Sequence, residues 1–389
     1  MDLSLTEEQL MIQTMAKRFA ENELATIASK LDLSPDDEHY QEQFLIHLRQ
    51  LAELGFIGLN VKSEYGGANA GTIAFSLAIT ELAKVCASTA VTVSVTNMVA
   101  ELIQSVGSEQ QKQQYLPKLC SGEYRAGAFC LTESGAGSDA SAIKTTAQLE
   151  GDYYILNGAK LYITSASFAD LFIVWAVTNN KAKKGQGISC FLIPKGIEGM
   201  SIGKAEAKMG QKASPIHEVF FNQCRVNKSA LLGQQDKGFA IAVNELAGGR
   251  IGIGSLALGV GLAAMDYASQ HVLQRYQFEQ PLAKLQAIQW QIAESYTDLE
   301  AARLLLMQAA DNKAKGLDFA ESAAMAKLFA SEKANLACNR AMQMLGGLGY
   351  TQACPIERMV RDVRVTTIYE GTSEIQKLII ARGILSRFS

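Results

Sequence analysis

The stretch Ile368-Tyr-Glu-Gly-Thr-Ser-Glu-Ile-Gln376 sets one carboxylate, Glu370, between an aromatic ring and a small, hydroxyl-rich turn. A positioned carboxylate can take and return a proton; the alternative is a helix-capping acid. Two further stretches carry groups that could meet a ligand. In Leu131-Thr-Glu-Ser-Gly-Ala-Gly-Ser-Asp-Ala-Ser141, two glycines give flexible backbone, and Thr132, Ser138 and Ser141 supply hydroxyls. Such a loop can approach a phosphate or a polar ring edge, although a plain surface turn has the same composition. It lacks Gly-Lys-Ser/Thr, and Ala136-Gly-Ser-Asp-Ala140 is not a nucleophile elbow. In Ala159-Lys-Leu-Tyr-Ile-Thr-Ser165, Tyr162 and Thr164 point to one face of a strand. An aromatic ring beside a hydroxyl can cover a planar cofactor and bond its edge; the alternative is an ordinary half-buried strand.

Composition narrows the classes. The chain has 389 residues, enough for two or three domains. With 48% hydrophobic residues, 19% charged residues and a net charge of −3, it is neither disordered nor an electrostatic nucleic-acid binder. Seven scattered cysteines without a Cys-x-x-Cys pair fit a reducing compartment, and four histidines without ligand spacing predict no metal. The N-terminus shows no basic region followed by an apolar stretch, so no export or transit signal is expected. The apolar run from Ile251 to Met265 is too short to span a bilayer and is expected to be a buried core helix.

These groups need elements to position them. Thr6-x-x-Gln9 and Ser108-x-x-Gln111 are capping boxes, and Met11, Met15 and Phe19 fall at i, i+4, i+8 on one helical face. Helices from Gln41 to Leu54 and from Thr72 to Val106 end at Gly55 and Gly107. After Ala126, β-branched and aromatic runs alternate with turn pairs, with hairpin turns expected at Gly151-Asp152 and at Asn157-Gly158. Helical periodicity returns over Gly238 to Gln274, Pro281 to Lys315 and Phe319 to Leu345. Gly252-Ile-Gly-Ser-Leu-Ala257 matches G-x-G-x-x-A but follows no strand, so its glycines are read as helix-packing positions. Arg358 to Arg364 is a cluster of alternating charge for which a solvated helix face is the plain alternative to a functional role. The expected organisation is a helical N-terminal domain over residues 1–125, a mostly antiparallel β-domain over 126–232 and a C-terminal helix bundle over 233–389.

Taken in order, the segments LTESGAGSDA, NGAKLYITSA, GRIGI, RYQFEQPLAKLQAIQ, AMAKLFAS, QMLGGLGY, RDVRVTTIYEGTSEIQ and IIAR resemble the acyl-CoA dehydrogenase family over essentially the whole chain. The resemblance implies a helical N-domain, a central β-barrel and a C-terminal four-helix bundle. It also implies an FAD-dependent enzyme that converts an acyl-CoA to the trans-2-enoyl-CoA. In such a reaction a base takes the α-proton while the flavin accepts the β-hydride. Glu370 matches the family's base, and burial beside Tyr369 is expected to raise its pKa. Gly371 leaves room for the thioester. Another branch carries its base immediately before the arginine of GR, where this chain has Gly249.

By the same matching, Phe129, Leu131, Thr132 and Ser138 resemble the segment that holds the flavin, with Ser138 also facing CoA. Tyr162, Ile163 and Thr164 resemble the strand against the isoalloxazine. Arg275, Phe278, Gln286, Gln343, Gly346 and Gly347 resemble contacts supplied by a neighbouring subunit, and Thr372 and Glu374 complete the flavin site. Arg250, Tyr369 and Gly371 match substrate-side positions. The resemblance further implies a homotetramer, electron-transfer flavoprotein as acceptor, and a bacterial cytoplasmic or mature mitochondrial matrix location. Four departures stand out: Ser134 for a usual proline, Tyr162 for tryptophan or phenylalanine, Ala247 for a frequent aspartate and Glu279 for a usual glycine. AGGRIGIGSLALG and GISCFLIP resemble short-chain members. The alternatives are an acyl-CoA oxidase or an enoyl-CoA reductase on the same scaffold, or a non-catalytic helical assembly protein.

Overall fold

A computed structural model describes residues 4–388. The N-terminal domain contains α1 (Glu7–Phe19), α2 (Ala25–Leu33), α3 (Glu38–Glu53), α4 (Gly71–Val85), α5 (Ala87–Val106) and α6 (Glu109–Cys120). Both capping boxes form, with Thr6 and Ser108 accepting from Gln9 and Gln111. Of the expected Met11, Met15 and Phe19 stripe, Phe19 is buried and Met15 packs against the core, while Met11 is solvent-exposed; Ile12 and Ala16 complete the packed face of α1. A π-helical turn, Ala20–Leu24, joins α1 to α2, which no periodicity announced.

The central domain is one curled sheet of β1 (Gly127–Cys130), β2 (Thr146–Glu150), β3 (Tyr153–Thr164), β4 (Leu171–Val177), β5 (Ile188–Pro194), β6 (Met200–Ala205), β7 (Ile216–Asn227) and β8 (Leu231–Leu232). The strand order is β6-β7-β3-β2-β4-β5-β8, with β1 parallel to β4. The Gly151-Asp152 turn joins β2 to β3 as expected. Asn157-Gly158 does not turn the chain: both lie inside β3. Between Leu156 and Gly158 the pairing slips by one residue, the extra residue lying on β7, where Gln223 has φ +50°. Asn157 Oδ1 accepts the Gln223 N–H at 2.8 Å, so this pair serves a bulge rather than a hairpin. Gly158 lies so close to Thr145 that a Cβ would stand 2.6 Å from its Oγ1.

The C-terminal domain contains α7 (Gly238–Gln274), the small β9 (Tyr276–Gln277) and β10 (Gln280–Pro281) hairpin, α8 (Gln286–Ala314), α9 (Ala320–Leu345), α10 (Ile356–Arg364) and α11 (Ser373–Leu385). The glycine motif lies within α7, which is apolar and largely buried in the protein. Gly254 would meet Leu306 and Gly261 would meet Leu299 and Ala334 if given a Cβ, so these glycines allow close packing of α7 on α8 and α9. The run in α10 is not a solvated face. Arg361 pairs with Asp32 and Glu357, Arg358 donates to Val85 O at 3.1 Å, and Asp362 is buried. These charges fasten α10 to the N-terminal domain, a tertiary use that alternating charge does not reveal. All seven cysteines are buried and unpaired.

Asn97 on α5 fixes the loop before α4. Its Oδ1 accepts the Gly58 and Leu59 N–H groups at 2.9 and 3.0 Å, and its Nδ2 donates to Phe56 O and Val93 O at 2.9 Å each. The amide is fully satisfied and fully buried. Asn97→Ala leaves buried backbone groups unpaired, and we expect a loss of about 2–4 kcal/mol, read as a lower urea midpoint.

Candidate active site

The loop after β1 is held by a buried ion pair. Lys160 Nζ donates to Glu133 Oε1 at 2.7 Å and to Leu131 O at 3.1 Å. The same carboxylate accepts the Lys144 and Thr145 N–H groups at 2.6 and 3.0 Å. Burial raises the Glu133 pKa, but Lys160 and these donors outweigh it, so the carboxyl lies below its ordinary value. The hydroxyl loop is thus closed over a side chain that sequence reading passed by. Ser134 and Ser138 stand exposed on its outer side, Leu131 is buried, and Phe129 stacks 4.3 Å from Trp175.

Opposite this loop, β3 carries a second bulge. Between Lys160 and Ile163 the register against β7 shifts by one residue, with the extra residue on β3. Leu161 turns its N–H to Thr132 O at 2.8 Å, and Tyr162 takes a left-handed conformation, φ +59°. Tyr162 is therefore 58% exposed and Thr164 half-buried on the same side, while Ile163 points into the core. The aromatic ring and hydroxyl form an open face beside the serine loop. The bulge re-aims them, as bulges beside functional sites commonly do.

The end of β3 leads to Glu370. Thr164 pairs with Ile216, and the Ser165 N–H bonds Pro215 O at 2.9 Å. From this segment Gln211 reaches the Tyr369 hydroxyl at 3.1 Å, and its N–H bonds Asp362. Thr92 of α5 bonds Ser214 at 3.0 Å. Strand end, α5 and the Glu370 turn therefore share one seam.

Glu370 and Gly371 both have positive φ, +54° and +92°. Lys327 Nζ donates to Gly371 O at 2.8 Å, and Gln376 Nε2 donates to Glu370 O and Gly371 O at 3.1 and 2.8 Å. Thr372 caps α11. The turn aims the carboxylate at α7, where a Cβ on Gly249 would stand 2.8 Å from Glu370 Oε2 and 2.7 Å from Met98 Cε. Oε2 is shielded from solvent and has no hydrogen-bond partner, and neither has Nε of the buried Arg250. Burial pushes Glu370 up to about 7, against the pull of Arg250 and Lys327. Burial also brings the Lys327 amine down to about 8. Lys327, Gln376 and Gln211 escaped the sequence reading; only a lysine inside the alanine-rich Ala324-Met-Ala-Lys-Leu328 hinted at an inward charge.

The remaining expected residues do not join this seam within the chain. Arg275, Phe278 (82% exposed), Gln286, Gln343, Gly346 and Gly347 lie on the outer surface of the C-terminal domain. Phe278 and Glu279 are left-handed, φ +53° and +63°, so Glu279 keeps the conformation that a glycine would adopt freely. Glu374 is exposed beside a cleft of about 410 Å³ lined by Asn335, Arg364, Thr372 and Ser373. Ala247 is buried. Among the described residues no group of three or more His, Cys, Asp or Glu side chains forms a metal-holding cluster.

Three domain families match the chain in order: acyl-CoA dehydrogenase N-terminal domain over residues 6–123, middle domain over 128–224 and C-terminal domain over 236–385. The chain belongs to the acyl-CoA dehydrogenase family, whose members are FAD-dependent oxidoreductases. It is 42% identical over 385 residues to the short-chain specific acyl-CoA dehydrogenase of Clostridium acetobutylicum, covering 99% of this chain and all of that one. It is 43% identical over 392 residues to the acryloyl-CoA reductase (NADH) of Anaerotignum propionicum, covering 100% and 97%. The butyryl-CoA dehydrogenase structure from Megasphaera elsdenii superposes with a TM-score of 0.94 at 38% identity, covering 99% and 100%.

Removing one partner of a buried pair strands the other. Lys160→Met is expected to destabilise the protein by about 3–5 kcal/mol by denaturant titration, with most of the loss recovered in Lys160→Met/Glu133→Gln, which removes the stranded charge and keeps an acceptor for the Lys144 and Thr145 N–H groups.

Proposed function

We propose that this chain oxidises a short-chain acyl-CoA to the trans-2-enoyl-CoA, with Glu370 removing the α-proton. The observation that carries this reading is the setting of that carboxylate: shielded, unpartnered at Oε2 and facing the backbone of Gly249, where burial raises its pKa. A base works best with a pKa near the operating pH. Arg250 and Lys327 limit the rise, so the ionised form stays accessible. Gly249, the alternative base position, has no side chain to compete.

The surrounding residues fit a flavin. Tyr162 and Thr164 present an aromatic ring and a hydroxyl on an open face; Phe129, Leu131, Thr132 and Ser138 border it, and Thr372 and Glu374 stand at the polar cleft beside α11. FAD held there would supply a hydride acceptor for the β-carbon. The chain's own part is to orient the thioester and take the α-hydrogen at Glu370 as H⁺: the electron pair of that Cα–H bond becomes the C=C bond as the β-hydrogen would leave with its own pair. Ser138, Arg250, Tyr369 and Gly371 border the path of the acyl-CoA. Arg275, Phe278, Gln286, Gln343, Gly346 and Gly347, exposed here, are assigned to a flavin of a neighbouring copy in a homotetramer, with electron-transfer flavoprotein as the acceptor. Short-chain preference is supported one turn beyond Gly249. There a Cβ on Gly252 would stand 2.3 Å from Ser94 Oγ and 3.2 Å from Phe75 Cζ, so α7 is packed flush against α4 and α5 beyond the base.

The reductase direction is the second reading, because the acryloyl-CoA reductase relative is as similar as the dehydrogenase. Run in reverse, protonated Glu370 returns a proton to the α-carbon.

The test is the anaerobic visible spectrum of the purified protein with butyryl-CoA and longer and branched acyl-CoAs. Bleaching is expected, strongest with the short straight chain. Glu370→Gln is expected to keep the flavin and lose about 10²- to 10⁴-fold in rate; unchanged turnover would remove Glu370 from the role. Activity requires the carboxylate, so kcat/KM should rise with pH through about 7 and level off above it. Lys327 lowers the Glu370 pKa by its charge, so Lys327→Met should move that limb to higher pH.

A further inference from the structure

The seam beside Glu370 holds a second carboxylate that the proposed chemistry leaves unused. Glu245 of α7 is 7% exposed, and its Oε1 has no hydrogen-bond partner. Positions 245 and 249 lie one turn apart on the same face of the helix. Glu245 is thus rooted about 5–6 Å along α7 from the glycine that gives Glu370 its room. At Gly248, between them, a Cβ would stand 2.9 Å from Lys313 Nζ and 3.8 Å from Glu245 Oε1. Two successive glycines therefore let Lys313, Met98 and Glu370 itself lie directly against the strip of α7 between the two carboxylates.

The charges along this strip do not balance. Lys313 is paired with Glu101, whose Oε1 also accepts Asn60 Nδ2 at 2.7 Å. Those two groups satisfy each other, and Glu245 is the surplus acceptor. Burial pushes it up to about 8, with the charges of Glu101 and Glu370 adding to the rise and Lys313 opposing it. A buried carboxyl without a partner costs stability unless something else supplies the bond. The Lys313 and Glu101 side chains are both partly solvent-accessible, so this end of the strip is open, whereas the far end is closed by Ser94 and Phe75.

We infer that Glu245 receives a hydrogen-bond donor carried by the substrate, an amide N–H, hydroxyl or ammonium group lying about one helical turn from the carbon that Glu370 deprotonates. The inference rests on the reading of Glu370 as the base. It assigns as substrate a thioester with a donor close to the reacting carbon, on either the acyl chain or the arm that carries the thioester.

The experiment compares wild type, Glu245→Leu and Glu245→Gln on butyryl-CoA, 4-hydroxybutyryl-CoA and S-propyl butanethioate, which has no donor. Flavin content per protein monitors folding. Glu245→Leu is expected to raise KM about 10- to 100-fold for thioesters that supply the donor, with kcat and the S-propyl thioester unaffected. Glu245→Gln, which keeps an acceptor, should recover most of the loss. Loss with both CoA thioesters places the donor on the arm; loss confined to 4-hydroxybutyryl-CoA places it on the acyl chain. An equal change on all three thioesters, or none, overturns the inference. Failure of the base reading is seen separately, as unchanged turnover in Glu370→Gln, and leaves these substrate ratios measurable.

Discussion

The structure depends on keeping one carboxylate dry without giving it a partner. Burying an unpaired carboxyl is unfavourable, and proteins usually relieve it with a hydrogen bond or an ion pair. Here relief is withheld at Glu370 Oε2 and supplied one step away. Arg250 and Lys327 lie near enough to moderate its pKa, yet Lys327 spends its hydrogen bond on the Gly371 carbonyl. The left-handed Glu370–Gly371 pair is a strained arrangement for a residue with a side chain, at roughly 1–2 kcal/mol. Lys327 and Gln376 tie it in place.

The β-domain uses the opposite solution for the same physics. Glu133 is buried more completely than Glu370, but its carboxylate meets an ammonium and two backbone donors. That saturation makes the pair rigid and pins the serine loop to the bulged end of β3. The contrast is between a carboxylate saturated with partners and one left short of them, and on the function proposed above the second is the working charge. Glu245 falls on the same side of that division as Glu370.

Much of the fold was legible because local rules act over a few residues. Capping boxes, glycine stops and helical period located most helices, and the Gly151-Asp152 turn joined two strands as read. The failures share one cause. Asn157-Gly158 has hairpin chemistry, but the strand is held straight by its pairing with β7 and the bulge lies on that partner. Met11 keeps the helical period of Met15 and Phe19, yet α4 packs against a face of α1 centred on Ile12 and Ala16, which leaves Met11 in solvent. Arg358 to Arg364 reads as a solvated stripe until Asp32, more than three hundred residues earlier, is brought against it.

The order of the motifs along the chain carried the family resemblance, and through that resemblance the choice of Glu370, which matches the family's base; the helix, strand, helix order was also legible from periodicity. Only the tertiary structure decided what makes Glu370 a candidate base. Its pKa depends on burial by α5 and α7, its conformation on a lysine from α9, and its space on the glycine at 249. None of these neighbours lies near it in sequence, and desolvation is a property of the surroundings rather than of the residue.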